Sequence, residues 1–233
     1  EYILYRIENE LNTQFNTRKQ LVLKTMYAYI DRRGSLYDTE CLSLFGTNSF
    51  NLVWEKICAE IMDNQLDVPL GILKLPVPLK EDYNRRQKLI ELIEKPLWTI
   101  TGKCAKDTLI PDLVSICKVN EQHQFIIFDA KYYNAHLEKG IVPTGQPGIE
   151  SITKQYLYQL AYQRFIEDHK FSSVKNCFLL PTENNEIEDK GEVRMEMLSN
   201  LGLQDIKIRL IPATMAYDLY LSGSKMDMER LDL

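Results

Sequence analysis

The chain has 233 residues, 45% of them hydrophobic, with a formal net charge of -5. That suits one domain, or one domain with a small appendage, able to bury a sizeable core. The acidic balance excludes a uniformly basic nucleic-acid-binding domain, the lack of any long apolar run excludes a membrane-spanning helix, and the lack of an internal repeat excludes a solenoid.

In chain order, Tyr2 to Arg32 is predicted as one or two helices with Leu21, Met26, Tyr29 and Ile30 among the apolar positions, ended by Gly34. Residues 1–45 are taken as an N-terminal helical segment suited to docking. Phe50 to Asp63 is predicted as a helix capped by Asn48 and Ser49, with Phe50, Val53, Trp54, Ile57, Cys58 and Ile61 on one apolar face. Glu55 and Glu60 border that face on opposite sides. Between Asn64 and Pro96 four prolines break the pattern, leaving room for a charged helix over Glu81 to Glu94. A first strand is expected near Trp98. Leu109 to Ile116 and Phe125 to Lys131 then read as adjacent antiparallel strands joined by a polar hairpin loop, Cys117 to Gln124. Tyr132 to Gly148 holds Gly140, Pro143, Gly145, Pro147 and Gly148, a composition suited to a loop over a site. Ser151 to His169 reads as a helix with Ser151 as N-cap, and Gln155, Gln159, Tyr162 and Ile166 share one stripe. Val174 to Leu180 and Ile206 to Ile211 are predicted strands, and Thr214 to Ser222 a short helix. The expected class is α/β, a mixed central sheet flanked by helices.

Chemistry concentrates on the central strand pair. Side chains alternate faces along a strand, so Asp129 and Lys131 point the same way. Asp112 lies near the start of its strand, which in an antiparallel pair neighbours the end of the next. Two carboxylates and an ammonium therefore converge at one end of the sheet. Such a set suits a hard divalent cation, Mg²⁺ or Mn²⁺, bound by Asp112 and Asp129 while Lys131 orients water or offsets charge at a phosphoryl group. The five cysteines, Cys41, Cys58, Cys104, Cys117 and Cys177, show no CxxC spacing, which argues against a zinc ribbon or an iron-sulfur cluster and favours a reducing cytoplasm. His123, His136 and His169 show no zinc-ligand spacing. Arg85, Arg86 and Lys88, and separately Lys103, Lys106 and Lys118, are the basic clusters. No secretory signal pattern is visible, and a start at Glu1-Tyr2 rather than Met fits an excised domain.

Pro111-Asp112 followed by Asp129-Ala130-Lys131 resembles the PD-(D/E)XK nuclease signature. Tyr158-Gln159-Leu160-Ala161-Tyr162 resembles the Gln/Tyr motif of RecB- and McrC-type nucleases, though Gln159 and Tyr162 are one residue closer than Gln-x-x-x-Tyr, which leaves Gln155 and Gln159 both open as the motif glutamine. Phe50 to Glu55, Asp129-Ala-Lys131-Tyr-Tyr, Pro147-Gly-Ile and Lys154-Gln155 complete a series similar to the nuclease subunit of LlaJI-type restriction systems, which are related to McrBC. The resemblance implies a nuclease domain over 46–233 with a restriction-endonuclease-like core. Its catalytic residues would be Asp112, Asp129, Lys131, Glu55 and Gln159, with Glu55 as a further metal ligand. It also implies a bacterial cytoplasmic enzyme acting on double-stranded DNA with a GTP-hydrolysing AAA+ motor subunit, two copies pairing transiently for a double-strand break. Two readings stand beside it: a catalytically inactive domain that binds DNA or the motor, and a structural assembly module using the N-terminal helices.

Overall fold

The computed structural model describes residues 2–13, 17–31 and 49–233, so Gly34, Cys41 and Asn48 lie outside the described residues. The chain divides into two compact units, 1–47 and 48–233. In the first, the described elements are the helices α1 (Tyr2–Thr13) and α2 (Thr17–Asp31).

The second unit is built on a five-stranded mixed sheet. A helix α3 (Phe50–Ile61) leads through two 3-10 turns, Leu70–Ile72 and Leu89–Leu92, to a small hairpin of β1 (Leu97–Trp98) and β2 (Lys103–Cys104). Then follow β3 (Leu113–Val119), β4 (Gln122–Ala130), helix α4 (Ile149–Asp168), β5 (Ser173–Thr182), β6 (Glu188–Val193), β7 (Ile206–Pro212) and helix α5 (Ala213–Ser222). The sheet order is β3-β4-β5-β7-β6, antiparallel at both edges and parallel across β4, β5 and β7. The parallel step from β4 to β5 requires a crossover, and α4 supplies it. The fold is α/β and restriction-endonuclease-like.

The alternation of β4 sorts its side chains between two cores. Ile126, Phe128 and Ala130 pack with Trp54, Ile57, Cys58 and Ile61 of α3 and with Ala216 of α5. Phe125 and Ile127 pack on the other face against Tyr158, Tyr162, Phe165 and Ile166 of α4. A sheet covered on both faces by helices explains why β4 and β5 read as nearly continuous apolar runs.

Several boundaries differ from the sequence expectation. The β3–β4 pairing continues to Val119↔Gln122, so the connection is the two-residue turn Asn120-Glu121 rather than a loop over Cys117 to Gln124. Both turn residues have positive φ, 48° and 65°, the backbone of a type I′ hairpin turn. The strand of Asp112 begins only at Leu113. The charged helix over Glu81 to Glu94 does not form: the Asn84 side chain accepts from the Arg86 amide, and the Glu91 carboxylate accepts from the Lys88 amide, closing only the turn Leu89–Leu92. The strand near Trp98 pairs with β2 in its own hairpin and does not join the main sheet. Helix α4 starts at Ile149 with Gly148 in the cap position, so Ser151 lies inside the first turn. The edge strand β6 was not anticipated because its sequence, EDKGEV, has no apolar alternation; charge and a register shift between Asp189 and Glu192 are how an exposed edge avoids pairing with another chain.

Candidate active site

The sheet brings Asp112, Asp129 and Lys131 together at one end. Leu113↔Phe128 is the last pair of the β3–β4 ladder. One step beyond it, the Asp112 carboxylate takes the place of a backbone acceptor: its Oδ2 receives the Ala130 amide at 2.9 Å. Lys131 follows β4 directly, its amide donating to the Leu179 carbonyl of β5 at 2.9 Å. The Lys131 Nζ makes an ion pair with Asp129 Oδ1 and lies 3.8 Å from Asp112 Oδ2.

The electrostatics follow from burial. The Asp129 side chain is 5% exposed, whereas those of Asp112 and Lys131 are 23% and 20% exposed. Desolvation, with the adjoining Asp112 carboxyl, pushes Asp129 up to about 7, against the pull of Lys131. Burial alone would lower Lys131, but the charges of Asp129 and Asp112 outweigh it and hold the ammonium above its ordinary range. Asp129 Oδ1 is buried and makes no aligned hydrogen bond. Such an atom is a ready acceptor for a further donor or a cation.

Helix α3 supports this end of the sheet. The Trp54 indole donates to the Leu179 carbonyl at 3.2 Å, the same oxygen that receives the Lys131 amide. Phe50 packs on Tyr132 with ring centroids 4.9 Å apart. Glu55, next to Trp54, is half-buried, and desolvation followed by the charge of Asp112 raises it while Lys131 and a hydrogen bond with Asn51 oppose. Glu60 instead pairs with Lys56 at 2.7 Å on the exposed side. Among the described residues, no three of His, Cys, Asp and Glu form a metal-binding cluster by themselves. Glu55 therefore adjoins the Asp112–Asp129 pair without completing a triad of ligands.

On α4 the two glutamines separate. Gln155 is fully buried, its amide nitrogen donating to the Ile127 carbonyl at 2.7 Å. Gln159, one turn later, is also buried but turns its oxygen to Asn176 Nδ2 at 2.6 Å and to the Gln204 amide at 3.0 Å. Both bonds tie Gln159, expected from the resemblance as a catalytic residue, to the β5–β7 side rather than to the carboxylates. Tyr162 likewise packs on Phe125, centroids 5.2 Å apart, its hydroxyl without a partner. The residue missed from sequence is Tyr158. Its hydroxyl donates to the Ile110 carbonyl at 3.0 Å, two residues before Asp112, and the charges of both aspartates act on it. Its spacing from Tyr162, one turn away on a helix, was the available signal, but that stripe reads equally well as core.

Comparison with known sequences decides the family. The sequence model of the LlaJI restriction endonuclease family matches residues 1–218. The chain belongs to that family. It is also 27% identical over 232 residues to "Type II restriction enzyme BsuMI component YdjA" of Bacillus subtilis (strain 168). That match covers 97% of this chain and 44% of the relative, so the chain spans less than half of that relative's length. No solved structure matches the chain significantly. A role in a restriction system is thus supported. Among the described residues no helix is long and apolar enough to cross a membrane.

Proposed function

We propose that this chain is the DNA-cleaving part of a restriction system, a metal-dependent endonuclease of PD-(D/E)XK type whose reaction is hydrolysis of a phosphodiester bond. The observation that carries this reading is the convergence of Asp112, Asp129 and Lys131 at one partly open end of the sheet. A domain kept only for binding or assembly has no physical need to bury an aspartate against a second carboxylate, because that raises the energy of the charged form.

The residues fit a hard cation. Mg²⁺ or Mn²⁺ takes oxygen ligands, is held through one or two carboxylates and retains several waters, so the Asp112–Asp129 pair suffices without a third protein ligand. Asp112 and Asp129 would hold it, with Glu55 acting through a water, and the ion would supply polarisation of the phosphoryl oxygen and acidification of a bound water. The chain's own residues do the rest. Lys131 Nζ presents a positive charge beside both carboxylates, placed to offset the charge that grows on the phosphoryl oxygens and to fix the attacking water. Tyr158 holds the Ile110 carbonyl and so the stretch leading to Asp112. Trp54 and the Lys131 amide share the Leu179 carbonyl, fixing the direction in which the lysine leaves the strand. Gln155 is the better candidate for the motif glutamine, because it bonds to the backbone of β4 two residues before Asp129.

The component-type relative supports a multi-subunit system; the motif resemblance adds a GTP-hydrolysing AAA+ motor that would deliver double-stranded DNA to this domain, with two copies pairing for a double-strand cut. The test is Mn²⁺ and Mg²⁺ calorimetry together with plasmid cleavage. Asp112→Ala and Asp129→Ala should each lose metal binding and all cutting while keeping the circular dichroism of the parent. Normal cleavage by Asp129→Ala would remove the assignment.

A further inference from the structure

We propose that the β1–β2 hairpin is a duplex-docking element, its lysines meeting phosphates and its apolar tip entering the minor groove. The proposal rests on the reading of DNA as substrate and adds where on this chain the DNA is gripped.

Every residue from Glu94 to Cys104 is exposed, so the hairpin is covered on neither face. It nevertheless presents Trp98 at 65% exposure, Leu97 at 60% and Ile100 at 99%. A lone two-stranded hairpin is marginal in water, and an exposed apolar group of this kind marks a binding surface. The hairpin is shaped rather than loose. Leu97 pairs with Cys104 and Trp98 with Lys103, the Gly102 amide closes on the Trp98 carbonyl at 2.9 Å with Gly102 at φ 63°, and the Ala105 amide locks the foot to the Pro96 carbonyl at 2.8 Å. Thr108 adds a hydrogen bond to the Glu94 carbonyl at 2.7 Å.

Charge identifies the partner. From Lys95 to Lys106, between Glu94 and Asp107, the chain carries Lys95, Lys103 and Lys106 and no acidic residue, against a chain total of -5. All three lysines are exposed, and among the described residues none of them has an ion-pair partner. A polyanion satisfies them, and apolar wedges inserted between base steps are a common companion of basic contacts in the minor groove. The reach is also right. Lys106 stands six residues ahead of Asp112, which spans at most about 20 Å of extended chain, or roughly six base pairs of rise along one duplex.

The probe is a short fluorescein-labelled duplex of mixed sequence, titrated in Ca²⁺ by anisotropy at several salt concentrations. Lys103→Glu/Lys106→Glu should weaken binding by at least about tenfold and lower the slope of log affinity against log salt by roughly 2. Trp98→Ala should weaken it as well. In the parent, DNA should quench the Trp98 emission, isolated by difference from Trp98→Phe because Trp54 is fully buried. Melting by circular dichroism should be the same for all variants, since these side chains are exposed. Unchanged affinity in folded variants overturns the proposal, as does absence of binding by the parent. Loss of self-association in Trp98→Ala without loss of DNA affinity overturns it too and makes the hairpin a protein contact. Cleavage of the same duplex in Mg²⁺ separates the two readings: binding through the hairpin without cutting defeats the nuclease assignment alone, and cutting unaffected by the hairpin variants defeats the docking element alone.

Discussion

Asp129 is where structure and chemistry pull hardest against each other. Its carboxylate is buried beside Asp112 and rises to about 7 from an ordinary value of 3.8, so the folded protein holds a proton that the unfolded chain has released. Where the native state binds more protons, stability falls with rising pH. In metal-free buffer the favourable contribution of the protonated group is complete below about pH 4 and is lost as pH rises through about 7. Asp129→Asn mimics the protonated form. Its melting temperature should therefore change less than the parent's between these limits and exceed the parent's at pH 8, while cleavage is lost. Parallel melting curves across that range would remove the account of Asp129 as a charge held against its surroundings. A site that is less stable than its uncharged imitation is the expected signature of a functional carboxylate.

At the scale of elements, the site depends on buried polar joints between α4 and the sheet. Asn176 on β5 receives Gln155 Nε2 at 3.4 Å and donates to Gln159 Oε1 at 2.6 Å and to the Gln204 carbonyl at 3.2 Å. Asn176→Leu fits a buried position in volume but removes one partner from each glutamine, which keep the Ile127 carbonyl and the Gln204 amide, and leaves the Gln204 carbonyl without its donor, so it should cost about 1 kcal/mol in urea denaturation. A change of under a few tenths would show that water replaces the asparagine. Elements also show what was legible. The pairing of Asp129 with Lys131 follows from a period of two along β4, a strong local rule, and the structure has both on the face of Phe125 and Ile127. Gln155 and Gln159 share one stripe in the sequence and are both buried in the structure, yet the stripe does not say which neighbour each amide finds. Glu81 to Glu94 failed because side-chain bonds from Asn84 and Glu91 to the backbone compete with helix. The hairpin loop over Cys117 to Gln124 failed because polar residues on a twisted antiparallel pair look like a loop in sequence, and only the positive φ at Asn120 and Glu121 distinguishes a tight turn.

For the whole molecule, the division at 47/48 has a direct consequence for dissection. The unit 48–233 contains all of the sheet, both helical layers and every residue of the candidate site. Expressed alone, it should unfold in one cooperative transition by heat and retain the metal binding of the full chain. A broad, non-cooperative melt would mean that residues 1–47 complete its core. The acidic total, -5, does not conflict with action on DNA, because charge acts locally: the lysines of the small hairpin stand in a stretch free of acids.

The Leu179 carbonyl joins three segments far apart in the chain, the Trp54 indole, the Lys131 amide and β5 itself. A polypeptide still emerging from the ribosome acquires Glu55, Asp112, Asp129 and Lys131 well before that oxygen. The β3–β4 hairpin brings the two aspartates near each other early, because its closure is local, but the lysine takes its direction only when β5 docks in parallel beside β4, a slower, long-range step. Catalytic competence in such a chain arrives late in synthesis, after the crossover helix has been made. Under the proposed nuclease function, this ordering keeps unfinished copies harmless.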